Sequence, residues 1–193
     1  MKKLISLVLV FLFALTTCAF AVPSKSTADM ATVEVAGDNI PAYSGFAITP
    51  VVDETVNEAL VKTVQAEIAK LAESASAVEY FGEVKDAEGN VVSLTELLGV
   101  DTVNVFEFMP LSVENYDVAY GNVTATFQFA TVYAQDEEVL VLVGVVNEET
   151  EAVEWTVLNG VGTGAEGAVE VEFTPEVLEA IQGGEAMMAV VSK

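Results

Sequence analysis

The sequence predicts a mainly β protein of the α+β class, with an antiparallel β-sandwich over residues 100–193 preceded by a helix-containing α/β segment over 41–99. Three observations point there. Short runs after Val100 alternate apolar and polar residues with a period of two, the mark of half-buried strands. One stretch before them, Glu54 to Glu73, spaces its apolar residues by three and four, the mark of a helix with one buried face. Clusters of Gly, Asn, Asp and Pro separate the runs at the short intervals expected of turns.

Residues 22–40 read as a polar leader. Val22 to Met30 has no apolar period, whereas Ala31 to Ala36 places Val33 and Val35 on one face and Thr32 and Glu34 on the other, as a short strand would. Gly37-Asp38-Asn39 ends it. Ser44 to Val52 gives a second strand, with Pro50 restricting its end to a sheet edge or a turn. Asp53 is the expected N-cap of the long helix, in which Val56, Leu60, Val64, Ile68 and Leu71 line one side. Glu58 lies four residues before Lys62, the favourable order for a surface ion pair. Ala77 to Val84 and Val91 to Ser93 flank the turn residues Lys85 to Asn90 as a hairpin. Ser93 and Glu96 have capping-box spacing for a short helix stopped by Gly99.

Strands follow at Val103 to Met109, Tyr116 to Tyr120 and Asn122 to Ala130, the last with Val123, Ala125, Phe127 and Phe129 inward. Glu138 to Val146 is apolar almost throughout, so it is expected as a central strand covered on both faces. Val153, Trp155 and Val157 alternate with Glu154 and Thr156, and Val169, Val171 and Phe173 with Glu170 and Glu172. Thr174-Pro175 starts a short helix that Gly183-Gly184 ends, and Ala186 to Ser192 is the final strand. Roughly seven strands at this spacing predict an immunoglobulin-like sandwich, a resemblance of architecture alone because the Cys and Trp framework of antibody domains is missing. Gly160 to Gly164 reads as a loop between strands; it lacks the Lys and helix that a phosphate loop needs.

The first 21 residues carry a different signal. Lys2 and Lys3 precede an unbroken apolar run, Leu4 to Leu15, too short to span a bilayer, and Ala19-Phe20-Ala21 offers a small-residue cleavage site before Val22. The segment resembles a bacterial Sec signal peptide, which implies cleavage between Ala21 and Val22, with Ala19 and Ala21 as the small residues of the site, and a periplasmic or extracellular destination. Leu15-Thr16-Thr17-Cys18 also resembles a bacterial lipoprotein box, in which Cys18 would carry lipid, but Thr17 departs from the Gly, Ala or Ser usual there. No other stretch reads as a membrane span.

Processing at Val22 would leave five lysines against thirty acids, with no histidine, arginine or cysteine. Such a charge repels phosphate backbones and anionic membrane surfaces, so no nucleic-acid partner is expected. A Ser-His-Asp triad, a thiol nucleophile and the usual zinc ligand sets cannot be assembled. Calcium alone suits a chain rich in carboxylates, and the acidic clusters Asp136-Glu137-Glu138 and Glu148-Glu149 with Glu151 are its candidate ligands. They bracket one strand, so about eight extended residues hold them roughly 25 Å apart, in two sites at best. Asp86, Glu88 and Asn90 alternate like ligands, but Gly89 and Val91 break the EF-hand order. Trp155, the single tryptophan, falls at an inward strand position rather than on a sugar-stacking platform.

The expected function is therefore a secreted, non-enzymatic binding module of a bacterial envelope or extracellular space, with a protein or glycan partner and no cofactor other than calcium. The alternative is a self-assembling fibre or surface-layer subunit, a homo-oligomer that uses its N-terminal extension for strand exchange. A glycoside hydrolase working with two carboxylates alone is a distant third.

Overall fold

The computed structural model describes residues 33–50, 57–129, 131–164 and 168–193. The segment expected to direct export, with Cys18, Ala19, Ala21 and Val22, most of the expected leader, and the expected N-cap Asp53 lie outside these residues. In chain order the elements are β1 (Val33–Ala36), β2 (Ala47–Pro50), α1 (Glu58–Glu73), α2 (Ala77–Phe81), β3 (Val84–Lys85), β4 (Val91–Val92), α3 (Leu94–Leu98) and β5 (Asn104–Glu114). There follow β6 (Val123–Gln128), β7 (Glu138–Val146), β8 (Val153–Gly162), β9 (Ala168–Phe173), α4 (Pro175–Gly183) and β10 (Ala186–Ser192).

The protein is mainly β, but its strands do not divide into two packed sheets. They form one sheet in the order β1-β6-β9-β8-β7-β10-β5-β2, antiparallel along this whole path, whose end strands β1 and β2 lie beside each other. The result is a nearly closed, barrel-like sheet in place of the expected immunoglobulin-like sandwich. The reason lies at Gly160 to Gly162, which was expected to be loop and is the last turn-free stretch of β8. Here β8 pairs with β7 on one side and β9 on the other, joining what would otherwise be two sheets. A Cβ on Gly160 would stand 2.9 Å from a methyl of Val139 and 3.0 Å from one of Val169, so the absent side chain leaves room for the valines of both neighbouring strands.

Closure sorts the apolar residues into two cores. Val123, Ala125, Phe127 and Phe129 of the β6 run point inward as their alternation predicts, and meet Val139, Val141, Val143, Val169, Val171 and Phe173. Helix α4 plugs this interior with Val177, Leu178 and Ile181. Outside, α1, α2 and α3 lay Leu60, Val64, Leu71, Phe81, Leu94 and Leu98 on Leu140, Leu142, Trp155, Met187 and Ala189. Strands β7 and β10 are therefore covered on both faces, which explains why both read as near-continuous apolar runs.

Local differences from the sequence expectation have local causes. Ala77 to Phe81 is helix rather than strand, because the Ser76 hydroxyl caps the Glu79 N–H at 3.0 Å and Gly82, at φ +60°, stops it within five residues. The β3–β4 hairpin shrinks to two residues a side. Strand β5 continues through Pro110 to Glu114; β2 pairs with it from Leu111 onward, so among the described residues no β2 partner stands opposite the proline. Tyr116 to Tyr120 is no strand: Asp117 accepts the Ala119 N–H and winds Val118–Tyr120 into a 3-10 turn. Helix α1 is capped by Asn57, whose side chain accepts from Leu60 N–H at 3.1 Å, and Lys62 pairs with Glu58 at 2.5 Å as its spacing predicts.

Gly144 sits directly across from Trp155 in the β7–β8 register, and a Cβ there would lie 2.6 Å from Val153 and 2.7 Å from the indole. The indole cannot easily yield, since Tyr80, Phe81 and Phe108 hold its other sides. Gly144→Ala should cost about 1–3 kcal/mol by overpacking, read as a lower urea midpoint with unchanged slope. An unchanged midpoint would show that the indole packs elsewhere.

Candidate functional site

The structure places the two acidic clusters at opposite ends of β7, as far apart as the sequence implies. Glu138 begins the strand opposite Val161, while Glu148, Glu149 and Glu151 follow its other end, where Val146 meets Val153. Both clusters serve their turns. Glu137 accepts the Ala134 N–H at 2.8 Å, and Asp136, at φ +61°, accepts from the Gln135 amide. In the other turn the Asn147 side chain accepts from the Glu149 and Thr150 N–H groups, and Glu151 takes φ +56°. Among the described residues no group of three or more acids converges as a metal site. No described helix is long and apolar enough to cross a membrane.

Two buried glutamates have partners but do not face each other. Glu67, on α1 in the outer core, accepts from Tyr80 at 2.8 Å and from Lys70 at 2.5 Å; burial foremost, then the bond to Glu67, pushes the Tyr80 hydroxyl far above its usual range. Glu107, on the inner face of β5, accepts from Thr131 at 2.7 Å. Beside it the Tyr133 hydroxyl is buried with no hydrogen-bond partner among the described residues, and burial followed by the charges of Glu107 and Glu137 raises its pKa. The sheet separates these two carboxylates, so they are not the opposed pair a glycosidase requires. Trp155 is 7 % exposed and packed among three aromatic rings, the core role expected of it.

A cleft of about 240 Å³ opens elsewhere. It follows from the way β8 leaves β9. Beyond Gly160 the two strands part, and the freed edge of β8 takes only a single parallel pairing, Lys85 with Thr156. The turn after β3 then overhangs the gap. Asp86 stiffens that turn by accepting from the Glu88 N–H at 3.0 Å, the Asn90 N–H at 2.8 Å and the Asn90 amide, while Gly89 takes φ +83°. Across the gap stands the first half of α4. Val143, Val145, Ala87, Val177 and Ala180 give the cleft an apolar lining, and Lys85, Asp86, Glu88 and Glu176 give it a charged rim.

The rim charges are not equivalent. Lys85 donates to Glu154 at 2.9 Å and Asn147 donates to the other oxygen of the same carboxylate at 2.9 Å; these bonds hold Glu154 below the usual carboxylate range. The Asn90 side chain does the same for Asp86. Glu88 and Glu176 have no hydrogen-bond or ion-pair partner for their carboxylates among the described residues. The alternation of Asp86, Glu88 and Asn90 thus builds a turn. The cleft itself was missed from sequence because its walls come from chain segments that share no local pattern.

Comparison of the chain with protein-family models, curated proteins and solved structures finds no match.

The depressed Glu154 carboxyl has a pH consequence. Its contribution is fully present above the ordinary value of 4.5 and is lost as pH falls through the lower folded value. Both partners are half exposed, so the effect is bounded at about 1 kcal/mol. Urea midpoints measured from pH 7 down to 3 should fall more steeply below 4.5 for the wild type than for Glu154→Gln. Parallel curves would rule out the ion pair as a source of acid sensitivity.

Proposed function

We propose that this chain is an exported, non-enzymatic binding module that engages a protein or glycan partner at the cleft between the Asp86–Asn90 turn and α4. The observation that carries the reading is an apolar lining left open to solvent on an otherwise acidic surface, between a turn locked by Asp86 and a helix anchored in the core. Binding needs only such a preformed surface. The residue types available beyond position 21 support it, since they supply carboxylates, hydroxyls and a few lysines but no imidazole, guanidinium or thiol. Titration of small apolar probes such as isopropanol, followed by amide NMR, should perturb Ala87, Val145, Val177 and Ala180 first. Ala180→Leu, which fills the cleft from an exposed helix position, should abolish those shifts without lowering the unfolding midpoint. Probes that perturb the cleft no more than other surfaces would defeat the proposal.

A second reading, assembly by strand exchange, has one specific observation in its favour. β1 is a terminal strand of the sheet, pairs with β6 over only four residues, and turns Glu34 and Thr126 outward as a register pair. Glu34→Cys with Thr126→Cys, introduced into the processed protein and oxidised at rising concentration, should yield covalent dimers if β1 is exchanged. Disulfide-linked monomers alone at every concentration would exclude exchange.

A further inference from the structure

We infer that the cleft takes the side chain of a lysine presented by a partner protein, an inference that rests on the binding role proposed above for the same site. Its size comes first: about 240 Å³ is below the roughly 300–1,000 Å³ typical of sites for whole small molecules and suits one long side chain. Its chemistry is two-sided. Buried Val143 and Val177, with half-buried Val145 and exposed Ala180, line it, and an alkyl stem laid against them loses water favourably. Glu88 on the turn and Glu176 on α4 both border the cleft, exposed and without hydrogen-bond or ion-pair partners among the described residues.

The cleft's own cation does not neutralise them. Lys85 is drawn to Glu154, which Asn147 fixes from the other side, and Asp86 spends its acceptors on the turn. The occupant must therefore bring positive charge, and an anion or phosphate is repelled. An ammonium on four methylenes meets both demands. It is compact and carries three donors that rotate, so it adapts to carboxylates held by two separate chain segments, whereas a guanidinium fork is shaped for a single carboxylate. The acidity of the whole chain supplies attraction from every side; the apolar depth is what localises it here.

The test uses the protein purified after export, at low salt, titrated with Nα-acetyl-lysine methylamide and with its norleucine counterpart, which keeps the stem and lacks the charge. Lysine should give saturable amide shifts at Ala87, Val177 and Ala180, with norleucine about tenfold weaker. Glu88→Gln with Glu176→Gln, both exposed positions, should reduce lysine binding by about tenfold and keep the wild-type unfolding midpoint. Equal response to lysine and norleucine overturns the lysine assignment while leaving a binding cleft in place. Lysine shifts spread evenly over the acidic surface, or unchanged in the double variant, also overturn it. If neither these compounds nor isopropanol perturb the cleft, the binding role fails together with the ligand.

Discussion

The tight packing at Gly160, against valine side chains, and at Gly162, against the backbone, is the constraint on which the rest of the structure depends. A Cβ at Gly162 would stand 2.3 Å from the Ala134 carbonyl oxygen, and the residue exchanges backbone hydrogen bonds of 2.8 Å with Asp136 and Glu137. Through this corner β8 reaches β9 while still paired to β7, so the sheet curls and nearly closes. The same corner ends the pairing of β8 and β9 after three residues, and the divergence that follows is the space in which the β3–β4 hairpin and the cleft are built. Fold and candidate site share one origin.

Closure also explains the division of labour among side chains. One sheet face must fill an interior and the other must be shielded from water, so residues of opposite parity on β7 and β10 serve different cores. Polar groups admitted to either core have specific partners, as Glu67 has with Tyr80 and Lys70, because an unpaired carboxylate there would carry a large desolvation cost. The hydroxyls of Tyr133, beside Glu107, and of Thr174 are the exceptions, buried without a hydrogen bond among the described residues. The other described acids remain at the surface, where water screens them.

Much of this was legible residue by residue. The alternation of Val123 to Phe129, the two-faced run Val139 to Val143, the Pro175 start of α4 and the Glu58–Lys62 pair all follow from periods and caps that act within a few positions. Two misreadings were local contests. At Ala77 to Phe81 the Ser76 cap and Gly82 stop outweighed the strand preference of Tyr80 and Phe81, and at Tyr116 to Tyr120 the Asp117 side chain bent an otherwise strand-like run. The larger error concerned pairing. Nothing near Gly160 announces that β9 will lie alongside it, and glycines that punctuate loops elsewhere here mark a crossing. The cleft was hidden for the same reason: Glu88 reads as a turn acid and Glu176 as a first-turn helix acid, while their juxtaposition belongs to the whole fold.

The position of β10 carries a further consequence. This strand, Ala186 to Ser192, lies between β5 and β7, with every residue buried. β5 and β7 pair with it but not with each other, so the middle of the sheet stays open until the chain has been made through residue 192. Earlier strands must wait, their apolar faces exposed, for a segment separated from β5 by some of the longest loop closures in the molecule. Synthesis delivers β10 after both of the strands it joins, so the piece that locks the centre arrives behind its partners. Completion of the central sheet is thereby tied to contacts of long sequence separation rather than to the pairing of neighbouring strands.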